Sequence, residues 1–202
     1  CHFCLRYEYI SIISKPFPLP CGRVYGTMES ERGPSPLCKY ERESKSMISI
    51  CYSGNKRVFP GLLLSVLSLT KYTERALRVY MRSMDLHEEN PLYLPFSENQ
   101  MRILNEVLQK KNAESRAELI DMTQIYKESL AAGKNKKNHY TPYAQLRLYL
   151  NELECIPDKI IYLDIDTMCT GDIGQLFDID ISDYEYAAAL DYMGKFWIDR
   201  HY

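Results

Sequence analysis

The apolar positions of this chain fall into two regimes that meet near Met47. Residues 1–46 are rich in Pro, Ser, Arg and Glu and show no sustained period, which predicts an irregular or disordered extension. From Met47 onward the pattern becomes regular. "MISIC" (Met47–Cys51) predicts a short strand, and "SGNK" (Ser53–Lys56) a turn. Pro60 opens an apolar helix running to about Tyr72, since proline is tolerated in a first helical turn. "ALRVYMRSM" (Ala76–Met84) alternates like a strand, with Leu77, Val79 and Met81 on one face. Ser97 and Gln100 form a capping-box pair before a helix carrying Met101, Ile103, Leu104, Val107 and Leu108. "AELIDM" (Ala117–Met122) fits a strand, with helix as the alternative. A short helix over Tyr126–Ala132 closed by Gly133, and a further one over Tyr143–Leu153, precede the apolar run Ile160–Leu163. That run predicts a buried strand.

Strands alternating with helices predict an open, mostly parallel α/β sheet. In such sheets ligands bind beyond the carboxyl ends of the strands. The stretch "KIIYLDIDTMCTGD" (Lys159–Asp172) puts Asp164 and Asp166 at such an end. Alternate residues of an extended segment point the same way, so both carboxylates are expected to converge on one point. Two like charges that close need a cation, and a hard divalent ion, magnesium or manganese, fits oxygen ligands. Without such an ion the pair would simply be turn or helix-capping aspartates.

Composition narrows the class. With 202 residues, 46% hydrophobic and 26% charged, the chain fits one globular domain or most of one. A net charge of -2 gives no whole-chain electrostatic case for nucleic acid or an acidic membrane. Seven irregularly spaced cysteines favour a reducing, cytoplasmic setting, with peripheral contact at a membrane surface left open. Cys1 and Cys4 have no second pair at zinc-ligand spacing. The apolar stretch Leu62–Leu69 is too short to span a bilayer, and the N-terminus lacks a signal-peptide pattern. "KNKKN" (Lys134–Asn138) is either a solvated connector or a basic loop that helps hold an anion.

Two enzyme classes place Asp-x-Asp behind an apolar strand. Haloacid dehalogenase-type phosphatases want Thr or Val four residues after the first Asp, but Met168 stands there and Thr167 is one residue early. The segment "DKIIYLDIDTMCTGDIGQLFDID", followed by "YAAALD", instead resembles glycosyltransferase family 8, which includes bacterial lipopolysaccharide galactosyl- and glucosyltransferases and glycogenin. "ISICYSGNK" and "TPYAQLRLYL" are similar to the family's first strand and to its stretch with an Arg at fixed separation before Asp-x-Asp. The resemblance covers about residues 47–192. It implies a GT-A (Rossmann-like) nucleotide-diphospho-sugar transferase fold, with 47–202 as its N-terminal part and the C-terminal motifs beyond the end of the chain. Ser53 departs from the family, whose members often have Asp there.

What the resemblance implies for the site is specific. Asp164 and Asp166 would be ligands of Mn2+ or Mg2+. Cys51, Ser53, Asn55, Arg147, Asp164 and the Ile165 backbone would contact the nucleotide. Asp191 would lie by the sugar and acceptor pocket as the candidate catalytic residue. The implied reaction is metal-dependent, retaining hexosyl transfer from a UDP-sugar to a hydroxyl of a glycan or lipid-linked glycan acceptor such as lipopolysaccharide. The alternative is a truncated, non-catalytic nucleotide- or metal-binding fragment.

Overall fold

The computed structural model describes residues 10–14, 47–130, 141–149 and 156–188. Six strands make one sheet: β1 (Ile10–Ser14), β2 (Ile48–Ser53), β3 (Leu77–Ser83), β4 (Arg116–Asp121), β5 (Lys159–Leu163) and β6 (Tyr186–Ala188). Their order is β4-β3-β2-β5-β1-β6. The four strands β4, β3, β2 and β5 run parallel, as the alternating pattern predicts. β1 is antiparallel to both β5 and β6.

β1 was not visible in the sequence pattern. It lies inside the stretch expected to be irregular, and Ile10 pairs with Leu163 at the far end of the chain. A five-residue segment acquires its ladder only from such a distant partner, and no local period reveals it.

Two helices cover one face of the sheet. α1 (Phe59–Tyr72) carries Pro60 in its first turn. α2 (Glu98–Lys111) starts with the predicted capping box: the Gln100 amide donates to Ser97 Oγ at 3.3 Å, and the Ser97 amide donates to Gln100 Oε1 at 3.0 Å. Leu62, Val66 and Leu69 of α1 and Leu104 and Leu108 of α2 pack on Ile48, Ile50, Val79, Met81, Ile161 and Leu163. On the opposite face Cys51, Tyr80, Ile156, Ile160 and Tyr162 form a second apolar layer.

β3 departs from the half-exposed strand its alternation suggests, because all seven of its residues are buried. Parallel strands inside an α/β sheet are covered on both faces, so the polar-looking face carrying Arg78 and Arg82 is interior too. Part of that cover is a 3-10 helix, Pro142–Tyr149, whose Tyr143 and Leu146 pack with Met84, Leu86, Met122 and Tyr126. An α-helix was expected there, and another from Tyr126. The described part of the latter is a π-helical turn, Tyr126–Leu130, entered from a short α3 (Thr123–Ile125). α4 (Gly174–Phe177) follows β5. Among the described residues, no helix is long and apolar enough to cross a membrane.

Candidate functional site

The carboxyl ends of β2, β3 and β5 meet at one place. β5 stops at Leu163, and Asp164 to Thr167 form a tight turn in place of the extended pleat that was expected. The Thr167 amide donates to the Asp164 carbonyl at 3.1 Å, and the Thr167 hydroxyl donates to the same oxygen at 2.7 Å. Any convergence of the two carboxylates therefore comes from the turn and not from strand alternation. Asp166 is exposed on that turn and Asp164 is half-buried.

Ile165, between them, is the turn's anchor. A Cβ added to Gly54 would lie 2.3 Å from Ile165 Cδ1 and 2.8 Å from Val58 Cγ2, and one added to Gly61 would lie 3.3 Å from Ile165 Cγ2. Two glycines thus open the slot in which Ile165 lies against the β2–α1 loop and the first turn of α1. The loops after β2 and β5 are held as one unit.

Hydroxyls of the apolar α1 and of Thr73 at its C-terminal cap hold the rest of the loop after β5. The Cys169 amide donates to Ser68 Oγ at 2.8 Å, and the Ile173 amide donates to Thr73 Oγ1 at 3.3 Å. Ser65 Oγ lies 2.7 Å from the Tyr52 hydroxyl and 3.5 Å from Thr167 Oγ1. Thr167 gives its one proton to the Asp164 carbonyl, so Ser65 must donate to Thr167 and Tyr52 to Ser65. The serines in "LLLSVLSLT" interrupt the apolar pattern, and that interruption was the available signal that this helix face bonds a loop. Further along, Asp172 Oδ1 accepts from the Gly174 amide at 3.0 Å at the start of α4.

On the opposite face, the register sets Ser53 beside Arg82 and Cys51 between Tyr80 and Tyr162. Arg82 is fully buried, and sequence reading had not singled it out. It donates from Nη2 to Ser53 Oγ at 2.9 Å and from Nη1 to the Leu146 carbonyl. Its guanidinium lies 5.6 Å from the centre of the Tyr162 ring. Arg147 reaches the same ring at 5.9 Å, steadied by a 2.9 Å bond from its Nε to the Ala144 carbonyl. Burial pushes the Tyr162 hydroxyl up first and the Asp164 charge adds to this, while Arg82, the bond from Ser53 and Arg147 pull it down. Ser53, Arg147 and Asp164 are therefore gathered around Tyr162.

The other expected contacts fare differently. Asn55 is buried, with its Oδ1 accepting from the Arg57 amide at 3.0 Å and its side chain bonding the Tyr143 hydroxyl. Cys51 has no exposed surface, so its thiol lines the sheet interior and cannot itself meet a ligand; burial pushes it up, against the pull of Arg82. Asp191 and the basic loop Lys134–Asn138 lie outside the described residues. Among the described residues, no group of three His, Cys, Asp or Glu side chains is placed to hold a metal.

The profile named "Glycosyl transferase family 8" matches residues 25–202. The chain belongs to glycosyltransferase family 8. Its four parallel strands with flanking helices are the open, mostly parallel α/β arrangement that the strand and helix pattern predicts. A Haemophilus influenzae protein bearing a glycosyltransferase name is 26% identical over 148 residues, 71% of this chain and 39% of that one. The solved galactosyltransferase LgtC, in complex with donor and acceptor sugar analogs, overlaps 66% of this chain and 43% of its own at 18% identity and a TM-score of 0.46. The WbbM bifunctional glycosyltransferase overlaps 70% and 22%, at 14% identity and a TM-score of 0.47. The chain thus spans less than half the length of each of these relatives. β1 lies before the family-matched stretch.

Proposed function

We propose that this chain is the nucleotide-binding part of an enzyme that transfers a hexose, with retention, from a UDP-sugar to a hydroxyl of a glycan or lipid-linked glycan. The observation that carries this is the meeting of Ser53, Arg82, Arg147 and Asp164 around Tyr162, at the carboxyl ends of parallel strands in a family 8 chain. A diphosphate is the ligand that such a set of cations and polar groups suits.

The donor set at the Asp turn fits a divalent cation. Asp164 and Asp166 offer hard carboxylate oxygens on an open turn, and an ion such as Mn2+ or Mg2+ is commonly held by one or two carboxylates plus substrate phosphate oxygens. When bound there, the ion would supply charge neutralisation to the departing diphosphate. The chain's own residues do the rest. Ser53 and Asn55 border the nucleoside, with Cys51 beneath them; the Ile165 backbone faces the ribose; and Arg147 steadies the phosphates. Asp191 orients the sugar or the acceptor hydroxyl.

The test is titration of the chain with uridine diphosphate, with and without Mn2+. Binding should require the ion, because the diphosphate otherwise meets two unscreened carboxylates. Equal affinity after complete chelation would sink the Asp-x-Asp role. Asp164 and Asp166 on an exposed turn also suit a second reading, a module that binds nucleotide and metal without transferring sugar. Release of uridine diphosphate from UDP-sugars, with and without a mixed acceptor pool, separates the two.

A further inference from the structure

β3 carries the charged residue Arg82 inside the sheet, where it cannot itself touch a ligand. Arg82 is completely buried; among the described residues its guanidinium bonds a serine hydroxyl, a backbone carbonyl and the Cys51 thiol, and its Nε has no partner. It also faces the Tyr162 ring. All of these partners are uncharged. A guanidinium taken out of water without a counter-charge is a heavy burden on stability, and an apolar side chain of similar length would fill the space without it. A second guanidinium, Arg147, flanks the same ring.

The connections from Arg82 lead to the site. Leu146, whose carbonyl it holds, immediately precedes Arg147, so the bond ties the Arg147-bearing segment to the sheet. Because Arg82 donates into Ser53 Oγ, the Ser53 hydroxyl must send its own proton elsewhere. Resting on the donor-site reading above, we infer that Arg82 is a positioning residue for the anionic part of the donor. From inside the sheet it fixes Arg147 and Ser53 and adds a permanent positive charge that a multiply charged phosphate group neutralises.

The experiment compares the full chain with Arg82→Met, which keeps the length but loses charge and donors, and with Arg82→Lys. Each is titrated in Mn2+ with uridine, uridine monophosphate and uridine diphosphate, and its folding is checked by thermal melting. Arg82→Met should leave uridine affinity within about twofold and weaken the diphosphate by about tenfold or more, with the monophosphate between, because a charge acts in proportion to the charge it meets. Its diphosphate affinity should also depend less steeply on salt. Arg82→Lys should show the same graded order with a smaller loss, the charge being kept and the fork lost. An equal loss for all three ligands would mark Arg82 as a purely structural residue and overturn the inference. Should Arg82→Met fail to fold, the graded or uniform pattern in Arg82→Lys decides. If the unaltered chain binds the diphosphate no better than uridine, the donor-site reading falls, and this inference falls with it.

Discussion

Replacing Gly54 by alanine tests whether the two loops of the site are one unit. The new methyl would meet Ile165 Cδ1 at 2.3 Å and Val58 Cγ2 at 2.8 Å, where apolar carbons rest at about 3.5–4.0 Å. One of them must move by about an ångström. Both side chains are branched at Cβ and stiff at χ1, but the clash at Ile165 is the closer and its Cδ1 also turns about χ2, so the movement falls on Ile165 and on the turn that holds Asp164 and Asp166. Overpacking of this kind costs about 1–3 kcal/mol, and the stiffer unfolded chain returns about 0.4–1 kcal/mol. The net loss is about 1–2 kcal/mol, which lowers a urea midpoint by about 0.5–1 M. Removing the offending Cδ1 with Ile165→Val should recover much of that loss, giving a coupling of about 1 kcal/mol in a double-mutant cycle. Urea unfolding of the four proteins measures it, and Mn2+-dependent nucleotide binding should weaken in Gly54→Ala and return in the double variant. An unchanged midpoint for Gly54→Ala, or strictly additive losses, would show that Ile165 does not fill the Gly54 slot.

Other outcomes follow from the same geometry. Asp166→Ala should abolish the metal-dependent part of uridine diphosphate binding, whereas Asp172→Ala should leave binding intact and cost about 1 kcal/mol of stability, because Asp172 caps the Gly174 amide; equal binding by the two variants would mean that the wrong carboxylates were chosen. Stability should fall at alkaline pH. Burial pushes the Cys169 thiol up to about 11 and raises Cys51, Tyr52, Tyr143 and Tyr162 as well, so the folded state keeps protons that the unfolded state has lost. The stabilisation is complete below the ordinary thiol value of 9.0 and is lost as pH rises to about 11, with Cys169 contributing on the order of 2 kcal/mol. Urea midpoints taken across that window check the sign, and a rise in stability there would contradict it.

What the sequence disclosed, it disclosed through local signals. The period of two in β3, the proline that opens α1 and the Ser97–Gln100 pair each act over a few residues, so the parallel sheet and its helices could be read in advance. What it hid depends on contacts made across the chain. The buried place of Arg82 looks from sequence like the solvent side of an alternating strand, and cover that includes Pro142–Tyr149 makes it interior. The turn at Asp164 is set by a threonine three residues on, whose hydroxyl competes for the carbonyl a strand would have used. Ser53, Arg147 and Asp164 were named from resemblance and stand near one another around Tyr162, while Asn55 is bound into its own turn and Cys51 into the sheet interior.

The place of β1 bears on how the protein is made. On the ribosome Ile10–Ser14 emerges early, yet its ladder waits for Lys159–Leu163 on one side and Tyr186–Ala188 on the other. Until those segments are synthesised, an isoleucine-rich strand has both edges open, a period in which pairing with another nascent chain competes with pairing at home. The parallel core of β2, β3 and β4 can assemble meanwhile, because its strands follow one another closely in sequence. β5 then serves as the closing strand. By its arrival it completes the parallel core, gives β1 the first of its two partners and delivers the Asp164 turn to the loop after β2, so this part of the site forms only once the four parallel strands are paired.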